Sequence, residues 1–512
     1  MEKLQKAVET AIAAGYQLDK GAFELLKTAA VTEDPIEIVN KALARMENQK
    51  EKAFFIDRNF LESLMKDLEE PERKLPTQKE ISQQLPELQI TEGKKVFHPY
   101  AKGIEAKISV IENPSTEIGS EGAIEDYLKY FCDRFKRIEK LLRQRMDVRA
   151  SASIMDALKS PANTKLKIIC MITDKRESKQ RIILTVEDLQ ASTIALVPQN
   201  ASQELLAKAR SLLLDQVVCL AVTKARSDLL IVEDIILPDI SQRQQHKAPV
   251  PVYAVLTSDL HIGSTKFQKK MFDRFVSWLN GNYGNEKMRE IASHVKYVLI
   301  AGDIVDGIGV YPNQIKELAV KDVYKQYMLA SEYMKDIPDY IEVVMIPGNH
   351  DAPRKALPQP AIANDFLKTL QETMKVHSFG NPCMLSLHGV EILLYHGRSL
   401  DDVLYTIPKV DTPEQAMKLL LQSRHLAPIY GGKTMLSPEN KDFLVIERVP
   451  DIFHAGHVHI LGHTNYRGTL IVNSGCWQEQ TEYMKRMGLT PTPGRVPLIN
   501  LQTLELAVVS FD

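Results

Sequence analysis

The chain lacks several features, and each shortage excludes a class of protein. No apolar run approaches the roughly 18 residues that cross a bilayer. The start, MEKLQKAVETAIAAGY, alternates charged with apolar residues and builds no signal-peptide core. Neither export nor membrane insertion is expected, and the cytoplasm is the expected location. The five cysteines, Cys132, Cys170, Cys219, Cys383 and Cys476, are odd in number and widely spaced, so neither a disulfide framework nor a CxxC zinc site can be read from them. Net charge is also scarce: 64 basic against 66 acidic residues give −2. Binding to nucleic acid would therefore need a local basic surface or help from a partner. Histidine is unevenly spread, with 11 of 13 after residue 250.

A chain of 512 residues is long enough for about three domains. Residues 1–70 carry apolar residues at helical spacing (Leu4, Val8, Ile12; Phe23, Leu26; Ile36, Val39, Leu43, Met46) and read as a small all-helical unit. Residues 71–120, most plainly Pro71 to Lys95 with its prolines and polar side chains, read as a flexible linker. Residues 121–245 open with an amphipathic helix from about Ala123 to Arg145, whose stripe is Leu128, Phe131, Phe135, Ile138 and Leu142. The basic end of this helix, Asp133 to Arg149, reads either as a solvated face or as a surface for phosphate. Five β-rich runs follow between residues 164 and 238, with one helix between the third and fourth, which is the order of an OB barrel. Such barrels often bind single strands through aromatic side chains. This segment contains no Phe, Tyr or Trp, so a protein-docking module is expected instead.

Residues 246–512 carry the chemistry. Five apolar runs each end in polar, metal-binding side chains: VYAVLTSDLH in Asp259 and His261, VKYVLIAGDIVDG in Asp303, IEVVMIPGNHD in Asn349 and His350, VEILLYHGR in His396, and DIFHAGHVH in His457 and His459. Helical segments such as Phe267–Leu279 and Glu317–Met334 fit between them. The pattern is α/β, with a site at the carboxyl ends of the strands. A mixture of imidazole, carboxylate and amide oxygen suits Mn²⁺, Fe or Zn²⁺, with manganese the first choice; the absence of thiolate argues against a structural zinc. His350 is placed to act as general acid, and Asp351 beside it to orient the imidazole.

The ordered series D-x-H, G-D, G-N-H-D, H and G-H-x-H resembles the calcineurin-like metallophosphoesterases over about residues 250–480. That resemblance implies two divalent ions about 4 Å apart. Asp259, His261 and His459 would hold the first ion, Asn349, His396 and His457 the second, and Asp303 would bridge them. With the barrel and helical segments in front, the whole chain looks like the B-subunits of replicative DNA polymerases, and within them the small subunits of the archaeal family D enzymes. The implied function is proofreading: a metal-dependent 3′-to-5′ exonuclease that works on single-stranded or mismatched 3′ ends beside a large catalytic subunit. A scaffold subunit whose site is little used, and a free-standing phosphatase or nucleotidase, stay open as alternatives.

Overall fold

The computed structural model describes residues 97–178, 181–225 and 228–512, together with the helix Lys20–Ala29 and shorter stretches between residues 6 and 56. The chain divides into two compact units, residues 1–86 and 87–512. In the first, Gln17–Leu18 pairs in parallel with Phe55–Ile56. The unit expected to be all helical therefore also holds a strand pair, which at two residues per strand is too short to leave a period in the sequence. The helix Lys20–Ala29 carries Phe23 and Leu26 as expected, with Leu26 buried; much of the rest of that unit, and the linker from Pro71 to Lys95, lie outside the described residues.

The linker does not extend to residue 120. Ile108–Glu112 is an edge strand, paired antiparallel with Cys383–Leu387, and the Lys107 amide donates to the Tyr297 hydroxyl at 2.8 Å. A five-residue edge strand with one solvated face carries little apolar signal, and the nearby Pro114 reads as a breaker.

The amphipathic helix runs from Ile124 to Arg143 and buries Tyr130, Arg134, Phe135, Ile138 and Leu142. Leu128, expected on that stripe, is 63% exposed, and a fully buried arginine belongs to it instead. Arg134 Nε binds Asp442 Oδ2 at 2.8 Å, its Nη1 donates to the Pro428 carbonyl at 2.8 Å, and His425 Nε2 also meets Asp442 Oδ2 at 2.8 Å. Most of the basic end is likewise committed to ion pairs: Arg137 with Asp133 and Glu447, Arg143 with Glu139, Arg145 with Asp147. Four of the seven basic side chains thus serve packing and ion pairs, while Lys136, Lys140 and Arg149 stay exposed, so the solvated and the phosphate-facing readings both still apply to these three. Phe135, Ile138 and Leu142 join Ile169, Val217 and Val445 in one core, so the helix joins the barrel to the domain after residue 246. Arg134→Ala would leave the Asp442 carboxylate buried without its cation, and we expect it to cost about 3–5 kcal/mol, measured by urea denaturation of the purified chain.

Five strands, Lys165–Ser178, Arg181–Glu187, Ser192–Val197, Val217–Lys224 and Leu229–Ile236, close into a barrel in the order first, second, third, fifth, fourth. The helix Gln203–Arg210 lies between the third and fourth in sequence and buries Leu205, Leu206 and Ala209.

The remaining residues build two six-stranded sheets. The first is ordered Val376–Ser378, Glu342–Ile346, Val295–Ala301, Tyr253–Thr257, Arg495–Asn500, Leu506–Ser510, and its first four strands are mutually parallel. The second is ordered Gly462–Tyr466, Thr469–Asn473, Ile452–Ala455, Val390–Leu394, Cys383–Leu387, Ile108–Glu112. Leu256, Leu299 and Val344 from the first sheet and Leu385, Leu394 and Val472 from the second share one core, which places the sheets face to face. Helices cover the outer faces. Phe272, Trp278 and Tyr327 pack against the first sheet, and Leu400, Met417 and Leu420 against the second. Strands buried on both faces must be apolar throughout, which is why the runs before the motifs do not alternate. The expected helix Glu317–Met334 begins only at Val323, where the Asp322 side chain accepts from the Lys325 amide.

Candidate metal centre

Each motif follows a strand end directly, and several of its residues turn the chain sharply. Asp259, His261, Asp303, His457 and His459 all have positive φ, between 52° and 71°, a conformation that non-glycine residues hold only when their surroundings enforce it. Two glycines make room for the carboxylates. A Cβ on Gly348 would strike Asp303 Oδ1, and one on Gly456 would lie 2.5 Å from Asp259 Oδ2.

The turns bring two groups of donors together where the sheets meet. Asp259, His261 and His459 form one group and Asp303, His396 and His457 another, with one donor atom from each residue within 4.8 Å of the others. Asn349 Oδ1 adds to the second at 3.1 Å from His396 Nε2. Asp303 Oδ2 stands between the groups, 3.7 Å from His261 Nε2 and 3.4 Å from His396 Nε2. The orientation of the rings is fixed from behind. His396 Nδ1 donates to the Ala301 carbonyl at 2.8 Å and His261 Nδ1 to Asp306 Oδ1 at 2.9 Å, so both turn Nε2 inward, as metal-ligating imidazoles do. His457 turns its Nε2 to Asp401 Oδ2 and Arg398 Nη1, each at 3.3 Å. Asp259 Oδ1 and His459 Nδ1 are buried without a hydrogen-bond partner. Buried acceptors converging at this density fit a cation.

His350 lies at the edge of the cluster, its Nε2 4.0 Å from Asp303 Oδ2 and its Nδ1 donating to the Asp306 carbonyl at 2.7 Å. Asp351, expected to orient this imidazole, does something else. Its carboxylate accepts from the amides of Ile304, Val305 and Gly348 and from the Tyr327 hydroxyl, and so braces the loops that carry Asp303 and Asn349. Asp306 is the residue that sequence reading missed. Its side chain orients His261 and its carbonyl orients His350, and the only local hint is its place three residues after Asp303 in GDIVDG. Asp401 and Arg398 were missed as well, since nothing in HGRSLD announces that they meet His457. His294, His377 and His425 stay out of the site; their partners are the Glu290 carbonyl, Glu342 and Asp442 respectively.

The electrostatics match this geometry. Burial alone would raise the Asp303 carboxyl, but His396 and His350 hold it well below the ordinary carboxylate range. Against the lowering effect of burial, Asp259 and Asp306 lift His261 to about 10, Asp303 lifts His396 to about 9, and Cys476 and Asp259 lift His459 to about 9. In the metal-free protein the acidic neighbours thus favour protonated imidazoles, although His261 and His459, with Nε2 atoms 3.0 Å apart, cannot both carry a proton there; an entering cation must displace the protons that are held. We expect Mn²⁺ binding to release protons at pH 7 and the apparent affinity to rise with pH until it levels off near 9. Calorimetry in two buffers of different ionisation enthalpy measures the release; none at pH 7 would show that the imidazoles are neutral without metal.

Residues 254–459 match the family of the B subunits of DNA polymerase alpha/epsilon. The chain is 37% identical over 485 residues to the DNA polymerase II small subunit of Archaeoglobus fulgidus, covering 94% of this chain and 93% of that one. It is 38% identical over 407 residues to that of Methanocaldococcus jannaschii, covering 78% and 68%. With the small subunit of Methanothermobacter thermautotrophicus it shares 38% over 400 residues, covering 78% and 82%. Among the described residues no helix is long and apolar enough to cross a membrane. With identity at this level over most of both sequences, the chain belongs to the DNA polymerase II small subunit family.

Proposed function

We propose that this protein is the proofreading 3′-to-5′ exonuclease of its polymerase, hydrolysing DNA phosphodiesters at single-stranded or mismatched 3′ ends, and that it works in complex with a large catalytic subunit. The observation that carries this reading is the convergence of the whole donor set, Asp259, His261, Asp303, Asn349, His396, His457 and His459, with His350 at its edge. Two divalent cations, manganese before iron or zinc, would lower the pKa of the attacking water and offset charge on the phosphate oxygens. Asp259, His261 and His459 would hold one ion, Asn349, His396 and His457 the other, and Asp303 would contribute to both.

The chain's own groups do the rest. Asp306 and the Ala301 carbonyl keep His261 and His396 aimed inward, and Asp351 keeps the Asp303 and Asn349 loops in register. Burial pushes His350 down to about 4. Its Nε2, 4.0 Å from Asp303 Oδ2, is the atom that would give a proton to the departing 3′-oxygen. The near-neutral chain makes the partner necessary. Neutralising even six phosphates takes a comparable number of Lys or Arg contacts, and four of the seven basic side chains at the end of the long helix are already held in ion pairs.

The test is manganese-dependent mononucleotide release from matched and mismatched primers, by the chain alone and assembled with the large subunit. Mismatch removal that rises on assembly is expected. An assembly that binds its metals and cuts nothing would make this chain a scaffold.

A further inference from the structure

Beyond His350 the mouth of the pocket carries two tyrosines. Tyr311, half-buried in the loop after Asp303, has its ring centroid 6.1 Å from that of His350 and 5.8 Å from that of Tyr483, with an interplanar angle of 32° between the two tyrosines. Tyr483, on the short helix Glu482–Arg486, is 48% exposed. One carboxylate ties the two together: Glu317 Oε2 accepts from the Tyr311 hydroxyl at 2.7 Å and its Oε1 from the Glu482 amide at 3.2 Å. Lys266, Lys485 and Arg486 all stand near enough to act on Glu482, Lys485 as its ion pair at 2.7 Å, so basic side chains lie beside the ledge together with the carboxylates of Glu317 and Glu482. Aromatic faces beside basic side chains are what unpaired DNA strands bind. The barrel, where such faces would be sought first, has none between residues 164 and 238.

We propose that Tyr483, set in place with Tyr311 by Glu317, stacks the base of the penultimate nucleotide and so grips the strand that stays behind after the cut. The assignment to that nucleotide rests on the exonuclease reading. There the water oxygen bonds to phosphorus, the bond from phosphorus to the penultimate 3′-oxygen breaks, and that oxygen leaves with the proton from His350. The terminal nucleotide departs as its 5′-monophosphate. The sugar next to His350 thus belongs to the penultimate nucleotide, and its base reaches the ledge beyond. Tyr483 touches the substrate away from the reacting atoms, while Glu317 is a positioning residue acting through both rings.

The test uses the full chain with Mn²⁺ and two single-stranded oligonucleotides, one intact and one carrying a tetrahydrofuran abasic unit at the penultimate position. Binding is read by anisotropy on versions with phosphorothioate terminal linkages, and hydrolysis on ordinary ones. Loss of one stacked base is expected to weaken binding about 5- to 160-fold. The wild type should show that loss with the abasic strand. Tyr483→Ala should show it with the intact strand and no further loss with the abasic one, and Tyr483→Phe should behave as wild type. Glu317→Gln should weaken the intact strand more than the abasic one. Equal binding of both strands by the wild type, or a Tyr483→Ala variant as sensitive to the missing base as the wild type, would overturn the proposal. A wild type that binds with this preference yet cuts neither strand would instead count against the exonuclease reading, since anisotropy decides the ledge by itself.

Discussion

Asp303→Ala is expected to lose at least about 100-fold in DNA hydrolysis and to bind manganese more weakly by a similar factor. Outer-shell substitutions at metal sites already cost about 10- to 100-fold, and this carboxylate lies within 4 Å of both donor groups. It does more than supply an oxygen. The His350 amide donates to Asp303 Oδ1 at 2.8 Å, so truncation also frees the G-N-H-D loop that carries Asn349. Electrostatics act both ways: without this carboxylate two cations would face each other with less shielding, which weakens binding, while His396, no longer lifted by Asp303, would give up its proton more easily, a smaller effect of opposite sign. His396→Ala, which removes a donor from one group only, should retain more metal. Metal content by mass spectrometry and rate on a single-stranded oligonucleotide, taken together, decide the matter. Near-normal manganese affinity in Asp303→Ala would mean that the two groups do not share a ligand.

His350→Ala is expected to lower the rate by about 10²- to 10⁴-fold, the range for removal of a general acid, while both ions stay bound. The geometry separates it from the ligand residues, since its Nε2 is 4.0 Å from Asp303 Oδ2 and its ring meets that of His261 edge-on with centroids 4.6 Å apart. There is a competing arrangement in the same pocket, because His261, Asp306 and His350 also bring donor atoms within 4.8 Å of one another. Metal content therefore matters as much as rate: an ion lost together with activity would move His350 into the coordination shell. A substrate with a good leaving group, which needs no proton, should recover most of the loss if His350 is the acid.

The contrast between Asp306 and Asp351 shows what sequence reading can and cannot reach. Both are acidic residues in the motif loops, and the one adjacent to His350 in sequence seemed the natural partner for it. In the folded chain the Asp351 carboxyl sits among backbone amides, pushed up by burial to about 6, while the Asp306 carbonyl accepts the hydrogen bond from His350. Adjacent residues on a tight loop point apart, so proximity in sequence is a poor guide to side-chain contact. Arg134 gives a similar lesson. In the sequence it is one of several positive charges near a helix end; in the fold it is wholly buried, because the carboxylate that requires it, Asp442, lies 308 residues away.

What the sequence determined by itself was whatever is written locally. Strands buried on both faces must be continuously apolar, so the strands that carry the site could be located, and the polar clusters at their ends identified every residue of the proposed donor set. The five barrel runs and the helix between the third and fourth were legible from β-rich composition, and the family from the ordered motifs. Tertiary structure decided which donors share a pocket, since Asp259 and His459 come from different sheets and meet only because those sheets pack face to face. It also decided that Ile108–Glu112 is an edge strand, that four of the seven basic side chains at the helix end are held in ion pairs, and that Asp401 and Arg398 meet His457 while Tyr311 and Tyr483 lie beyond His350. These are pairings between distant segments. They are set by how sheets, helices and loops close on one another, and no local pattern of hydrophobicity or charge encodes that.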